Sequence, residues 1–224
     1  MRSLSLVFLT LPALLAAAPR PAAPAVLELF TSQGCSSCPP AEALLAELAG
    51  SPPPGLEVLP LAFHVDYWDG LGWKDPYSRP AWTRRQYSYA RVQDAERVYT
   101  PQAVVNGRVA LVGHGRARIL EALRPLARLP LRWKAGRLDI EGLDPALKLW
   151  VALSRDQALT RVPRGENKGR TLTAPAVVER FEAVAFQGTR ATLAWKAGKG
   201  QRFTALQAAG EGLPLQRAGA LERP

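Results

Sequence analysis

The chain has 224 residues, a formal net charge of +10 and two cysteines. That length allows one large domain or two small ones. The positive charges are scattered, with no basic run and no nucleic-acid-binding motif, so the composition gives no support for nucleic acid as a partner and indicates a basic surface instead.

The N-terminus has the pattern of a secretory signal peptide. A cationic start precedes an apolar block from Leu4 to Ala18, and small residues follow up to Ala23. We therefore predict a signal peptide over residues 1–23, with an uncleaved N-terminal anchor as the alternative. No other stretch approaches the roughly 20 apolar residues that cross a bilayer. The expected location is the periplasm or the exterior, with no transmembrane segment after the signal is removed.

The most informative stretch combines a strand pattern, a C-x-x-C pair and a helix pattern. The apolar run Val26–Phe30 predicts a buried strand, and a glycine-containing turn leads from it to the two cysteines. Over residues 41–50, apolar residues recur at helical spacing, with Glu42 and Glu47 expected on the opposite, solvent side. A dithiol at the head of a helix that follows a buried strand is typical of a thioredoxin-like redox site.

The dithiol, Cys35 and Cys38, is the candidate catalytic pair. Thiol–disulfide exchange needs a thiolate, and an ordinary cysteine with a pKa of about 8.5 is mostly protonated at neutral pH. A helix N-terminus stabilises an anion, which makes Cys35 the expected nucleophile and Cys38 the resolving thiol. Pro39 and Pro40 leave open whether the helix begins near Cys38 or at Cys35. A bridge that closes so short a loop stabilises a fold little, so the spacing favours a redox-active disulfide over an inert one.

A second strand and an aromatic-rich loop follow. Leu56–Val65 has the pattern of a buried strand, so the order strand, helix, strand predicts a parallel βαβ unit. Residues 66–80 are irregular and contain Trp68, Trp73 and Tyr77. These aromatic side chains either line a groove beside the dithiol or pack the loop down.

Helix and hairpin patterns complete the first half of the chain. Residues 81–92 have the apolar spacing of a helix. Asn106 and Gly107, between two apolar runs, predict a β-hairpin with a two-residue type I′ turn, and Pro101 heads its first strand. Residues 116–129 carry an apolar helical face and predict a further helix.

Together these elements resemble the thioredoxin fold from residue 26 to about 129. Three stretches, ELFTSQGCSSCPPAE, FHVDYWDGLGWKDPYS and RVYTPQAVVNG, are similar more narrowly to an exported thioredoxin-like family known only as a domain of unknown function. The resemblance implies an α/β fold with a mixed sheet and flanking helices. It also implies a cis peptide between Thr100 and Pro101, packed opposite Cys35 and forming the turn on which a substrate docks.

The chain departs from thioredoxins around the dithiol. Gly34 stands in place of the tryptophan before the first cysteine, and Ser36 and Ser37 stand in place of the Gly-Pro pair between the cysteines. Leu29 occupies the position of a buried acid, and Glu28, one place earlier, is expected on the other face of the strand. These departures leave the redox potential and the direction of electron flow open.

A metal site is the alternative use of the cysteines. His64 closes the second predicted strand, so its imidazole could join Cys35 and Cys38 as a ligand of Cu(I) or Zn(II). No tetrahedral Cys/His spacing accompanies these residues, and a histidine packed at a strand end is the commoner case. His114, between two glycines, is expected to be a solvated loop residue.

After the last predicted helix the pattern changes to short alternating runs separated by glycine- and proline-containing stretches. We predict a small antiparallel β domain of sandwich type over residues 130–210, following a thioredoxin-like domain at 24–129. Residues 171–186 fit either a strand or a helix. The tail at 211–224 is expected to be frayed. No cysteine or histidine occurs in this half, so its expected role is binding or scaffolding.

As a whole, the sequence predicts an exported thiol–disulfide oxidoreductase-like protein. Its expected partners are protein or peptide thiols and disulfides, with a redox partner protein as a further option, and no cofactor is assigned. Two alternatives stand beside this prediction. One is a copper- or zinc-binding protein that uses Cys35, Cys38 and His64, and the other is a secreted interaction module whose disulfide is inert.

Overall fold

The computed structural model describes residues 21–210 and 214–222. The predicted signal peptide lies almost wholly outside these residues, and the first strand begins at Ala23. Within the described residues, no helix combines the length and the apolar character needed to span a bilayer. The described residues form three α-helices and twelve β-strands: β1 Ala23–Thr31, α1 Pro39–Gly50, β2 Leu56–His64, α2 Pro80–Val92, β3 Gln102–Val105, β4 Val109–Val112, α3 Arg116–Ala122, β5 Ala127–Arg128, β6 Leu131–Lys134, β7 Arg137–Glu141, β8 Lys148–Arg161, β9 Thr171–Val184, β10 Arg190–Leu193, β11 Gln201–Ala208 and β12 Leu215–Glu222.

Nine of the described strands form one mixed sheet in the order β4-β3-β1-β2-β9-β8-β11-β12-β5. β1 and β2 pair in parallel, in a register that places Ala23 beside Leu56 and Thr31 beside His64. α1 connects these two strands, which confirms the predicted βαβ unit. The loops that follow the two strands therefore leave the same edge of the sheet.

Both faces of β1 are covered by helices. Phe30 shares an apolar cluster with Trp82 of α2, and Leu29 shares another with Leu45 of α1. Successive side chains of a strand point to opposite faces, so a strand covered on both sides needs apolar residues at nearly every position. This explains the unbroken apolar run that marks β1 in the sequence.

The predicted hairpin is present between β3 and β4. Asn106 and Gly107 have φ angles of 51° and 66°, as a type I′ turn requires, and Arg108 N donates to Val105 O over 2.9 Å. Val105 pairs with Val109, so the loop contains one residue more than the predicted two-residue connection. β3 pairs antiparallel with β1, which attaches the hairpin to the side of β1 opposite β2.

α3 ends at Ala122, seven residues before the predicted end of this helix. Pro125 explains the difference, because it has no N–H to donate and disfavours helical geometry at Arg124, the residue before it. Leu123 is already extended, with a ψ angle of 124°, and the short strand β5 follows. The predicted helix is therefore wrong in its second half.

The β structure after residue 130 is mostly antiparallel, as predicted, but it continues the sheet of the first half. β8, β9, β11 and β12 extend the nine-stranded sheet, and β9 meets β2 where Val177 pairs with Ala62. β10, β7 and β6 form a separate three-stranded antiparallel sheet. A cluster that includes Leu138, Val151 and Phe203 joins this small sheet to the large one. The segment left open between strand and helix forms β9.

The C-terminal tail is part of the sheet where it is described. β12 pairs antiparallel with β11 and parallel with β5. Its Leu215 and Ala218 are fully buried. The expectation of a frayed tail over residues 211–224 is therefore wrong for residues 214–222, because backbone pairing on both sides and these buried side chains hold the strand.

A substitution at Gly219 tests the close packing of β12 against the segment that contains Leu129 and Leu131. A Cβ added at Gly219 would lie 2.0 Å from the carbonyl oxygen of Leu129 and 2.8 Å from Leu131 Cδ1. We expect Gly219→Ala to lower the free energy of unfolding by about 2 kcal/mol or more, because the backbone must shift to relieve the overlap. Gly50→Ala is the control, since nothing lies within 4 Å of a Cβ added there. Urea unfolding measures both variants, and equal stabilities would contradict the position of β12.

Candidate functional site

Cys35 and Cys38 form a disulfide in the loop between β1 and α1, residues 32–38, which we name the dithiol loop. Their Cα atoms lie 5.4 Å apart, and both residues are 0% exposed. The backbone turns tightly here, with Cys38 N donating to Cys35 O over 3.3 Å. In this oxidised form both sulfur atoms are covered by protein.

The helix begins after the dithiol. α1 starts at Pro39, and Cys38 is its N-cap residue. Cys38 O accepts hydrogen bonds from Ala41 N over 2.9 Å and from Glu42 N over 3.1 Å. Of the two helix starts that the sequence leaves open, the one near Cys38 is therefore observed. Cys35 precedes the first turn, and the disulfide holds its sulfur atom next to that of the N-cap residue Cys38, where the partial positive charge of the helix N-terminus stabilises an anion.

Trp68 of the aromatic-rich loop packs against the residue before the dithiol. A Cβ added at Gly34 would lie 3.1 Å from Trp68 Cβ. Trp68 Nε1 donates to Thr100 Oγ1 over 2.8 Å. Glycine at position 34 thus leaves room for this tryptophan, which connects the dithiol loop to the turn that contains Thr100 and Pro101.

Trp73 and Tyr77, the other two predicted groove residues, also contact the site. Trp73 Nε1 donates to Gln33 Oε1 over 3.1 Å. The Tyr77 ring meets the His64 ring edge to face, with centroids 5.5 Å apart. All three aromatic side chains are half-buried. These contacts favour the packing alternative, in which the aromatic residues anchor the loop, over an open groove.

The peptide bond between Thr100 and Pro101 is cis, as the resemblance implies. A Cβ added at Gly113 would lie 2.9 Å from Pro101 Cβ and 3.0 Å from Ala41 Cβ. Pro101 therefore packs close to the first turn of α1, which directly follows the dithiol. Pro101 O also accepts from Gly113 N over 2.9 Å, which joins this turn to the end of β4.

Four buried polar residues lie at the ends of β1 and β2 and in the segments that follow. Thr31 Oγ1 donates to Glu42 Oε1 over 2.7 Å, and His64 Nδ1 bonds to Asp75 Oδ2 over 2.7 Å. Each of these residues is at most 2% exposed, and we name them the buried polar cluster. Asp75 Oδ2 also accepts from Gln33 N over 2.8 Å, so the cluster is bonded directly to the backbone of the dithiol loop.

Burial and mutual charge set the protonation of the buried polar cluster. Burial raises the pKa of Glu42, and the attraction of His64 and the hydrogen bond from Thr31 offset this only in part. Burial alone would lower the pKa of His64, but the charge of Asp75 and its hydrogen bond outweigh burial and raise that pKa. For Asp75, burial is outweighed by His64 and by backbone N–H donors, and the pKa is lowered. The cluster therefore favours a His64–Asp75 ion pair beside a carboxyl group of raised proton affinity.

The prediction that Glu42 faces solvent together with Glu47 is wrong. Glu42 is 2% exposed and bonds to Thr31 of β1, whereas Glu47 is 54% exposed and pairs with Arg116. Apolar spacing assigns a glutamate to the outside because charged side chains are rarely buried. A different signal was available, since residues four apart on a helix share one face, and Glu42 is four residues after Cys38.

Glu28 lies on the opposite face of β1, as predicted. It accepts hydrogen bonds from Arg85 Nε over 2.8 Å, from Arg85 Nη2 over 2.9 Å and from Tyr89 OH over 2.6 Å. Arg85 also lies over the Phe181 ring, with its Cζ 4.3 Å from the ring centroid. Glu28 is thus held in a buried ion pair between β1 and α2, on the face away from α1.

The metal alternative would use Cys35, Cys38 and His64, and the two cysteines are joined here in a disulfide. The described ranges contain no group of three or more His, Cys, Asp or Glu side chains placed to hold a metal ion. His64 Nδ1 is bonded to Asp75, and His64 Nε2 is buried with no hydrogen-bond partner in the described part of the chain. His114 is exposed, in line with its expected place in a loop.

A segment from the second half of the chain also reaches the dithiol loop. Asn167, between β8 and β9, donates from Nδ2 to Gln33 O and to Cys35 O, each over 3.0 Å. The sequence of this region contains no pattern that indicates chemistry. The contact arises only because the β8–β9 hairpin lies beside β2 in the sheet, which no local pattern indicates.

Comparison with known proteins assigns the chain to a family. The model of the family described as "Protein of unknown function (DUF1223)" matches residues 26–210. The chain belongs to the DUF1223 family. This confirms the narrower family resemblance carried by the three stretches around the dithiol, the aromatic-rich loop and Pro101.

Two solved structures are similar to this DUF1223 chain. Protein AGR_C_4864 from Agrobacterium tumefaciens has a TM-score of 0.73 and 26% sequence identity, and the match covers 91% of this chain and 96% of that one. HBP35 of Porphyromonas gingivalis has a TM-score of 0.59 and 15% identity, over 89% of this chain and 75% of that one. The likeness to HBP35 shows the fold alone. A search of curated proteins finds no match.

The buried His64–Asp75 pair predicts a pH-dependent stability of the DUF1223 protein. The pKa of His64 is raised above its ordinary value of 6.5, so protonation favours the folded state. This contribution is fully present below the unfolded pKa and is lost as the pH rises through the folded-state pKa. We expect the difference in free energy of unfolding between wild type and His64→Gln to fall over that range, by at most about 1.4 kcal/mol per pH unit.

Urea unfolding from about pH 5.5 to 9, with the disulfide intact, measures this difference. His114→Gln changes an exposed histidine and is the matched control, which should keep the pH dependence of the wild type. A difference between wild type and His64→Gln that stays constant over this range would contradict the raised pKa of His64.

Proposed function

We propose that this DUF1223 protein is an exported thiol–disulfide oxidoreductase-like protein with a thioredoxin-like fold. The observation that carries the proposal is the Cys35–Cys38 disulfide at the start of α1, with Pro101 packed close to the first turn of that helix. A purely structural bridge gains little from so short a loop. A redox-active pair, in contrast, benefits from a helix N-terminus, which stabilises the thiolate.

Four adjoining features support the thioredoxin-like part of the proposal. β1, α1 and β2 form a parallel βαβ unit, and β3 and β4 form an antiparallel hairpin beside β1. A cis proline, Pro101, directly precedes β3. The dithiol lies between β1 and α1. The strands of the second half are added on the β2 side and leave this order unchanged.

The proposed location is the periplasm or the exterior of the cell. The signal-peptide pattern of residues 1–23 supports it, and so does the disulfide, because disulfides persist in oxidising compartments. The proposed partners there are protein or peptide thiols and disulfides, and a redox partner protein that returns the dithiol to its starting state.

In the proposed reaction, two electrons pass between the dithiol and a partner disulfide. The Cys35 thiolate attacks one sulfur of the partner, which forms a mixed disulfide and releases the first partner thiolate. The Cys38 thiolate then attacks Cys35 Sγ, which forms the internal disulfide and releases the second partner thiolate. The partner is reduced and the dithiol is oxidised. The reverse sequence transfers the disulfide to a partner dithiol.

Glu42 is the proposed proton acceptor for Cys38. It lies four residues after Cys38 on α1, and side chains at that spacing share a helical face with about 5–6 Å between Cβ atoms. Glu42 is 2% exposed, accepts from Thr31, and forms no ion pair within the described residues. Burial raises its pKa, which brings its proton affinity closer to that of a thiol and suits a general base.

A second function, a secreted interaction module with an inert disulfide, is favoured by one observation. Both cysteines are fully buried in the oxidised protein, whereas a redox pair must be reached by its partner. A double variant, Cys35→Ser with Cys38→Ser, separates the two functions. Full biological effect in this variant would support the inert disulfide, and loss of effect with an unchanged fold would support exchange.

A Cys38→Ala variant should trap the reaction half-way. Without the resolving thiol, Cys35 forms a mixed disulfide with a partner and cannot release it. Intact-mass spectrometry after incubation with excess cystine-containing peptide should show one adduct per chain, which dithiothreitol removes. Cys35→Ala is the matched control and should form less adduct, because it lacks the expected nucleophile. If iodoacetamide alkylates Cys35 in the variant while no adduct accumulates, the exchange mechanism loses its support.

Glu42→Gln should slow the second step of the reaction only. Without this base, we expect attack by Cys38 on the mixed disulfide to slow by about 10-fold or more, and its pH dependence to change. The reaction of reduced protein with dithionitrobenzoate separates the steps, because one coloured thiolate is released by Cys35 and a second by Cys38. Glu47→Gln is the matched control, with the same charge change on the exposed side of α1. Equal second phases in the two variants would contradict the role of Glu42.

A further inference from the structure

The loop between β8 and β9 is hydrogen-bonded to the dithiol loop. We name residues 163–170 the capping loop; it follows Val162, which is fully buried. Three hydrogen bonds join the capping loop to the backbone of residues 33–36, across sequence separations of 130 to 134 residues. Cys35 lies within that segment, so these hydrogen bonds fix the position of its backbone and therefore of its side chain.

Asn167 provides two of the three hydrogen bonds. Its Nδ2 donates to Gln33 O and Cys35 O, each over 3.0 Å, and its Oδ1 accepts from Arg170 Nη1 over 2.7 Å. Asn167 is 1% exposed. The amide therefore uses both of its N–H donors on the dithiol loop, and the two backbone carbonyls bond to the capping loop instead of to water.

Glu166 provides the third hydrogen bond. Its Oε2 accepts from Ser36 N over 2.9 Å. Hydrogen bonds from the side chain and backbone of Ser36 lower the pKa of Glu166, so the charged form is the one that makes the contact. Ser36 lies between the two cysteines. The capping loop thus bonds to the backbone on both sides of the Cys35 side chain.

The capping loop also meets the aromatic-rich loop closely. Gly165 has a φ angle of 75°, and a Cβ added there would lie 3.1 Å from Trp73 Cβ. A Cβ added at Gly72 would lie 3.3 Å from Gly165 Cα. Trp73 and Asn167 both donate to Gln33, the former to its side chain and the latter to its backbone. The two loops therefore enclose the same short segment.

The capping loop has few apolar anchors. Apart from Asn167, its residues are exposed or half-exposed. Segments of this kind open locally at a lower free energy than global unfolding requires. We infer that Asn167 and Glu166 are positioning residues that control access to the dithiol: the closed capping loop covers the disulfide, and the loop opens before a partner thiolate attacks. The inference takes its partner from the proposed function and its geometry from the capping loop.

The rate at which dithiothreitol reduces the disulfide of the native protein tests this inference. Samples are quenched with iodoacetamide, and intact mass reports the reduced fraction. Asn167→Ala removes two hydrogen bonds that hold the closed loop and should speed reduction by about 10-fold or more. Glu166→Ala removes the contact with Ser36 at an exposed position and should speed reduction by a smaller factor, on the order of 3-fold.

Two control variants separate opening of the capping loop from other causes. Lys168→Ala changes an exposed residue of the same loop, whose side chain makes no hydrogen bond or ion pair within the described residues, and should be reduced at the wild-type rate. Val151→Ala truncates a buried side chain of β8 outside the capping loop. It should lower the free energy of unfolding without speeding reduction in the absence of denaturant.

Wild-type reduction rates in both Asn167→Ala and Glu166→Ala would overturn the inference. Equal acceleration in Val151→Ala would also overturn it, because the disulfide would then be reached through global unfolding. If Asn167→Ala fails to fold, Glu166→Ala decides the outcome. Faster reduction in Asn167→Ala and Glu166→Ala, without any adduct in Cys38→Ala, would overturn the proposed function. It would still support control of access by the capping loop. Adducts in Cys38→Ala without faster reduction in Asn167→Ala and Glu166→Ala would overturn the inference on the capping loop and support the proposed function.

Discussion

The parallel pairing of β1 with β2 positions the dithiol loop and the buried polar cluster. In this register, Thr31 and His64 end their strands side by side, and the dithiol loop and the aromatic-rich loop leave the same edge of the sheet. Asp75 can therefore bond at once to His64 and to the backbone of Gln33. A shift of this pairing by one residue would turn the side chains of one strand to the other face and separate these groups.

Two buried glutamates on β1 and α1 differ in how their charge is compensated. Glu28 accepts two hydrogen bonds from Arg85 and one from Tyr89, which makes it a fully paired carboxylate between a strand and a helix. Glu42 accepts from the neutral hydroxyl of Thr31 and has no ion-pair partner within the described residues. An incompletely compensated buried carboxyl group reduces stability, and such groups are concentrated at sites of proton transfer. The contrast distinguishes the ion pair of Glu28 from the carboxyl group that we propose as the proton acceptor for Cys38.

Local sequence patterns were sufficient for the elements around the dithiol and insufficient for what covers it. The apolar run of β1, the Asn106-Gly107 turn and the C-x-x-C spacing each act over a few residues, and each predicted its element. Pro125 also marked the end of α3 in the sequence, but the prediction followed the apolar spacing and extended the helix past this proline. The contact between Asn167 and the dithiol loop was beyond such patterns, because it depends on strands paired across more than 100 residues. The burial of Glu42 also had a local sign, its spacing of four residues from Cys38, but the prediction followed the apolar spacing of α1.

β2 is flanked by β1 on one side and by β9 on the other. A chain shortened after residue 129 would lose β9, which would leave the backbone of β2 as an open edge and uncover part of the face that carries Leu61 and Phe63. The unpaired backbone groups of an exposed edge strand can pair with strands of other molecules, which leads to aggregation. In the full chain, β9 pairs with β2, so the C-terminal half covers an edge that the βαβ unit alone would leave open.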